Sequence, residues 1–141
     1  MDKIIFVCHG SICRSPAAEF IASSISEDYI FISRATSFEE IGNDVYPPMR
    51  RELLSRNIPL KEHHAKRIDQ KDFNEAKYIF YMDDENLYTL NRLFGPQDKI
   101  LPIYHFTPSI REIEDPWYTG NYKKVVDQII TCVKDILKSL Y

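Results

Sequence analysis

No apolar run in the 141-residue chain approaches the ~20 residues that a bilayer-spanning helix needs, so no membrane span is expected. Basic residues are not in excess either. The formal net charge is −3, which removes the electrostatic drive for non-specific nucleic-acid binding. Cysteine is scarce: residues 8, 13 and 132 are too few for a disulfide scaffold, and free thiols suit a reducing cytoplasm. Internal repeats, low-complexity tracts and linkers are also lacking. Residues 1–141 therefore read as one domain with one core of ordinary size, assumed to be monomeric. What is present, 44% hydrophobic and 28% charged, is typical of a soluble globular chain. Met1-Asp2-Lys3 leads straight into an apolar run that ends at Cys8, so a cleaved leader is not expected.

Strands and helices alternate along the sequence. Residues 3–7 are continuously apolar with β-branched members and predict a buried parallel strand. Pro16 predicts the first turn of a helix with Ser15 as N-cap and Ala17, Phe20, Ile21 and Ile25 on its inner face. A second strand is expected over 29–32, then a polar loop over 33–48. A helix over 49–57 turns Leu53 and Leu54 inward. A strand over 77–82, a helix over 84–93, a short strand over 99–102 and a helix from about 121 to 140 complete the pattern. This order implies an α/β fold of three layers: a four-stranded parallel sheet with helices on both faces. Ligands bind such sheets beyond the carboxyl ends of the strands, and Cys8 ends the first one.

Cys8-His9-Gly10-Ser11-Ile12-Cys13-Arg14 is short enough to curl into one loop, followed at once by Ser15-Pro16. Backbone N–H groups of such a loop can converge on a tetrahedral oxyanion, and a following helix N-terminus adds to them. Arg14 offers a planar fork that fits two phosphate oxygens. Cys8 lies at the floor, where its thiolate is favoured by the amides, the helix and Arg14. The Ser15 hydroxyl can donate to the sulfur. These features predict a phosphate-binding loop that carries its own nucleophile. Phosphoryl transfer also needs a proton on the departing oxygen. Glu114-Asp115-Pro116-Trp117-Tyr118 supplies two candidate acids, Asp115 and Glu114. Pro116 stiffens the segment, and Trp117 and Tyr118 offer flat walls to an aromatic substrate.

Taken together, these residues resemble the low-molecular-weight protein tyrosine phosphatase family over essentially the whole chain. The resemblance rests on Cys8 to Pro16, on Met82, Asp83 and Asn86, and on Asp115-Pro116 followed by aromatics. It implies hydrolysis of phosphotyrosine or a small aryl phosphate, with Cys8 as nucleophile, Arg14 binding phosphate and Asp115 as the acid. His9, Gly10, Ser11, Ile12, Cys13, Ser15, Trp117 and Tyr118 would bind substrate, and neither a metal nor an organic cofactor is implied. Ser11 stands where the family carries Asn, which tolerates left-handed backbone angles better. Ser33 resembles a serine that braces the loop and is expected to compensate. Ile12, a bulky aliphatic where arginine-directed relatives carry Thr, favours a phenyl ring. His9 is expected to be a pocket wall rather than an acid–base group.

Several residues stay open on sequence alone. Glu39 is either a solvated loop charge or a rim residue that disfavours acidic peptides. Cys13 is either packing or a redox partner of Cys8, and Cys132 is expected in the core. His63 and His64 are read as part of a solvated basic stretch rather than a zinc site. Arsenate reduction on the same loop would need relay cysteines, and none lies between Cys13 and Cys132. A catalytically dead phosphotyrosine-binding module would not need Cys8, Arg14 and Asp115 together.

Overall fold

The computed structural model describes residues 1–140. Four parallel strands, β1 (Lys3–Cys8), β2 (Ile30–Ala35), β3 (Ala76–Tyr81) and β4 (Ile100–Pro102), form one sheet in the order β2-β1-β3-β4. Six helices connect and flank them: α1 (Arg14–Ile25), α2 (Pro47–Ser55), α3 (Gln70–Glu75), α4 (Asp84–Phe94), α5 (Pro116–Thr119) and α6 (Tyr122–Leu140). The expected α/β architecture is present. Strand order reverses at β1, so the carboxyl end of β1 opens at the switch point where such sheets take ligands.

Alternation along β1 divides the core. Ile4, Phe6 and Cys8 face one apolar cluster with Phe20, Ile21, Val126, Ile129 and Val133 of α1 and α6. Ile5 and Val7 face a second cluster with Ile68, Phe73 and Leu90, on the side of α3 and α4. Period two on a strand gives this two-sided burial, and it fixes register because a one-residue slip would exchange the faces. Cys8 pairs with Ala35 at the last rung, so the sulfur leaves the sheet from a rigid strand.

Several expectations are corrected. β2 runs on to Ala35, because pairing with β1 continues to Cys8, so Ser33 lies inside the strand rather than after it. Ser15 does not cap α1. Cys13 takes the N-cap position without a side-chain bond, and Ser15 stands in the first turn. Helix α2 starts two residues earlier than expected, at the Pro47-Pro48 pair, whose fixed φ suits a first turn. Ile25 and Leu54 are exposed, because α1 and α2 present only part of their apolar residues to the core. Two short helices were not anticipated. Asp69 and Asp72 form a reciprocal capping box that starts α3, and Asp115 caps α5. Among the described residues, no helix is long and apolar enough to cross a membrane.

Candidate active site

The loop from Cys8 to Arg14 is shaped by what holds its carbonyls. Cys8 O accepts from Thr36 N, and His9 O accepts from Ser37 N and Ser37 Oγ. Ser11 O accepts from His63 Nε2 at 2.6 Å, Ile12 O from Tyr46 N, and Cys13 O from Ala17 N. A trans peptide points its C=O and the next N–H in opposite directions. Tethering these carbonyls to the surrounding shell therefore turns the amides of His9, Gly10, Ile12, Cys13 and Arg14 towards the loop's interior. Gly10 meets the space requirement of this fold, since a Cβ there would lie 3.0 Å from Glu40 Cγ.

The sulfur of Cys8 sits under this ring. Ser11 N and Ser15 N donate to Sγ at 3.3 and 3.4 Å, and Ser15 Oγ lies 3.3 Å away. Ser15 Oγ also donates to Ser11 Oγ at 2.9 Å. The Ser15 amide belongs to the first turn of α1, so the start of that helix faces the sulfur as well. Ser11 holds φ = 56°, the left-handed region that costs a non-glycine residue about 1–2 kcal/mol. The brace that offsets this comes from His63, which is buried against Phe20, and not from Ser33. Ser33 Oγ and Ser33 N instead donate to Glu19. Both the bracing expected of Ser33 and the solvated reading of His63 are overturned. His64, by contrast, is exposed.

Arg14 is 2% exposed and fixed from three directions. Its Nη1 donates to Asp83 Oδ2 at 2.7 Å and to Ile113 O at 2.8 Å, and its Nη2 lies 3.5 Å from Asp115 Oδ2. Burial alone would lower its pKa. The negative sulfur of Cys8, the hydrogen bond and charge of Asp83, and the charge of Asp115 outweigh burial, and the guanidinium is held charged. Asp83 also caps α4 in a box with Asn86, so one carboxylate joins the arginine to a helix start. Asp83 entered the sequence reading only through the family resemblance, and nothing marked His63 as a site residue. The Asp-x-x-Asn capping pattern was the legible signal for Asp83.

Asp115 lies over the same pocket. Its Oδ1 accepts from Trp117 N at 3.0 Å, which leaves Oδ2 directed at Arg14. Glu114 is turned away. It accepts from Lys124 at 2.7 Å and from Asn121 at 2.9 Å, and these bonds, with one from Thr119, pull its pKa down to about 2. An acid held ionised in that way cannot donate a proton near neutrality, so Glu114 is unsuited to the role that sequence left open.

The pocket floor is Cys8 and Arg14, with Gly10, Ile12 and Cys13 on its inner wall. Asp115, Trp117 and Tyr118, with His9, Glu39 and Glu40, complete its lining. Ser11 and Ser15, both fully buried, lie beneath the floor rather than on the pocket surface. Glu39, which sequence left between loop charge and rim residue, lines the pocket. Cys8, Cys13 and Cys132 are free and buried. Burial, reinforced by the adjacent Cys8 charge, pushes the Cys13 thiol strongly up. Among the described residues, no cluster of His, Cys, Asp and Glu could hold a metal ion.

These features define a class: a parallel α/β protein with an oxyanion-binding loop after its first strand and a thiol at the loop's floor. The family model for low molecular weight phosphotyrosine protein phosphatase matches residues 3–141. The human protein of that name is 34% identical, over 99% of this chain and 96% of its own length. Among solved structures, the low molecular weight protein tyrosine phosphatase SP-PTP of Streptococcus pyogenes superposes with a TM-score of 0.91 at 34% identity, covering 100% of this chain and 94% of that one. YfkJ from Bacillus subtilis gives 0.93 at 27% identity, covering 99% and 94%. The chain belongs to the low molecular weight phosphotyrosine protein phosphatase family, and it is an enzyme.

Proposed function

We propose that this enzyme hydrolyses phosphotyrosine and related aryl phosphate monoesters through a phosphocysteine. A phosphoryl group entering the loop takes its equatorial oxygens to the inward amides and to the Arg14 fork. This draws Nη2 away from Asp115 and leaves that carboxyl for the leaving oxygen. Cys8 Sγ attacks phosphorus in line. The S–P bond forms as the P–O(aryl) bond breaks, and Asp115 gives its proton to the departing phenolic oxygen. The amides of Ser11 and Ser15 stabilise the sulfur, first as nucleophile and later as leaving group, and the Ser15 hydroxyl, 3.3 Å away, turns its proton from Ser11 Oγ to the thiolate. Water then attacks phosphorus, Asp115 takes its proton, and inorganic phosphate leaves with the thiolate restored. Each step balances without a metal or an organic cofactor.

Positioning and charge do most of the work in phosphoryl transfer. The observation that carries the reading is therefore the convergence on one pocket of a thiol under two amide donors, a buried arginine and a carboxylate 3.5 Å from it. The ring of a phosphotyrosine would stand between Ile12 and the Trp117–Tyr118 face, where flat apolar surfaces suit a phenyl ring. Rapid quenching during turnover of a radiolabelled aryl phosphate tests this. Label on Cys8 in active enzyme is the expected result, and its absence there in enzyme that still turns over refutes the phosphocysteine.

A further inference from the structure

Part of the pocket lining, apart from Trp117 and Tyr118, is charged and tethered. His9 Nε2 and Glu39 Oε2 are 2.8 Å apart, joining the phosphate loop to the segment after β2. The pair is anchored beneath by Ser37, whose N and Oγ both donate to His9 O. Glu40 packs over Gly10 and accepts from Asn43 Nδ2 at 2.6 Å. The Arg67 guanidinium lies 4.4 Å from the centre of the exposed Phe38 ring, and Arg67 forms no ion pair with Glu39 or Glu40. Beyond His9 a second groove opens, with Asp84, Glu85 and Tyr88 on its walls. The His9–Glu39 pair is thus the partition between the pocket and a groove that is also acidic.

A free carboxylate at this rim would repel an incoming phosphate. Tied to His9 through one oxygen, Glu39 is held at the wall, 70% exposed, with its other oxygen available to whatever flanks the phosphorylated residue. We infer that the His9–Glu39 pair, with Glu40 beside it, makes the pocket select phosphotyrosines flanked by lysine or arginine over those flanked by acidic residues. A cationic side chain next to the phosphotyrosine meets a lining that holds Glu39 and Glu40 together with the exposed rings of Trp117 and Tyr118, which attract cations in their own right. A chain continuing over His9 reaches Asp84 and Glu85. An acidic flank meets like charge at Glu39, Glu40, Asp84 and Glu85. The inference rests on the proposed phosphotyrosine activity and adds to it the class of peptide.

The test compares kcat/KM for three phosphotyrosine peptides of equal length, with lysine, alanine or glutamate flanks, beside para-nitrophenyl phosphate and a phosphoarginine peptide. At about 0.01 M ionic strength, where charges act over ~30 Å, the basic-to-acidic ratio is expected to be about tenfold and carried by KM. At about 1 M salt, where the screening length is ~3 Å, it should fall near unity. Glu39→Gln should cut the ratio about threefold, and Glu39→Lys should bring it below one. His9→Ala, which releases Glu39 without removing its charge, should about halve it. A wild-type ratio within about twofold of unity at low salt overturns the inference, as does a ratio unmoved by Glu39→Lys. A ratio unmoved by His9→Ala removes the pair from the account. Turnover of para-nitrophenyl phosphate and the alanine-flanked peptide with a flat flank response would leave the phosphatase reading standing. Failure to hydrolyse either, or preference for phosphoarginine, would sink both.

Discussion

Asp115 divides its carboxylate between two partners: Oδ1 accepts from Trp117 N at 3.0 Å, and Oδ2 faces Arg14 Nη2 at 3.5 Å. The first contact fixes the side chain as the cap of α5, and the second holds it in the pocket beside Arg14. We predict that Asp115→Ala lowers kcat by about 10²–10⁴-fold for substrates with basic leaving groups and far less for acidic phenols, which depart without a proton. A plot of log kcat against leaving-group pKa should steepen in the variant. Parallel plots for variant and wild type would remove Asp115 from the acid role.

Glu114, its neighbour, has a structural part instead. Lys124, Thr119 and Asn121 lower its pKa to about 2 from an ordinary value near 4.5. The sign follows from linkage: a depressed carboxyl stabilises the fold above its unfolded pKa and loses that contribution as pH falls through the folded value. Glu114 is half-buried, but its partner Lys124 is exposed and water screens the pair, so the effect stays below about 1 kcal/mol. We predict that Glu114→Gln lowers the urea midpoint slightly at pH 6, and that the gap from wild type closes between about pH 4.5 and pH 2. Activity on acidic phenols should persist. A gap that stays constant across that range would contradict the linkage.

Much of the site was legible because its chemistry lies in contiguous residues. Cys8 to Pro16 carries nucleophile, amides and arginine in one stretch, and the apolar run before it reports a buried strand. Period and turn chemistry likewise exposed β1, β3, α4 and α6. What escaped the sequence depends on contacts between distant segments. Nothing near His63 shows that its ring will reach Ser11 O, 52 positions away, and its charged neighbours suggest solvent instead. Ser33 was misplaced because the end of β2 is set by pairing with β1 and not by local propensity. The short α3 and α5 lack a periodic apolar stripe, and their only signals are the caps Asp69 and Asp115.

The three thiols should differ sharply in reactivity. Burial pushes Cys132 up to about 11, and burial together with the Cys8 charge pushes Cys13 higher still. Cys8 and Cys13 both line the pocket, but only Cys8 has two amide donors on its sulfur, whereas burial holds the Cys13 thiol protonated. We predict that iodoacetate near neutral pH labels Cys8 in the native enzyme, that inorganic phosphate slows the labelling, and that Cys13 and Cys132 react only after unfolding. Peptide mapping by mass spectrometry reads the result, and native labelling of Cys132 at a comparable rate would contradict it.

His63 provides a test of whether the loop's backbone is held from outside. Its Nε2–H donates to Ser11 O at 2.6 Å, while its ring meets Phe20 edge-on at 6.3 Å. His63→Phe keeps the ring volume and the contact with Phe20 but leaves a buried carbonyl without its donor, which costs about 1–3 kcal/mol. Ser11 sits in the left-handed region, so its peptide has an alternative to flip towards once released. A flipped Ser11–Ile12 peptide would turn a carbonyl, not an amide, towards the phosphate. We predict that His63→Phe lowers the midpoint of thermal unfolding and, in the folded enzyme, weakens inhibition by inorganic phosphate along with kcat/KM. His63→Gln, whose side-chain amide can still donate, should recover part of the phosphate affinity. If phosphate binds the phenylalanine variant as tightly as the wild type, the carbonyl tether is not what orients the loop, and its shape must be set by Arg14 and the first turn of α1 alone.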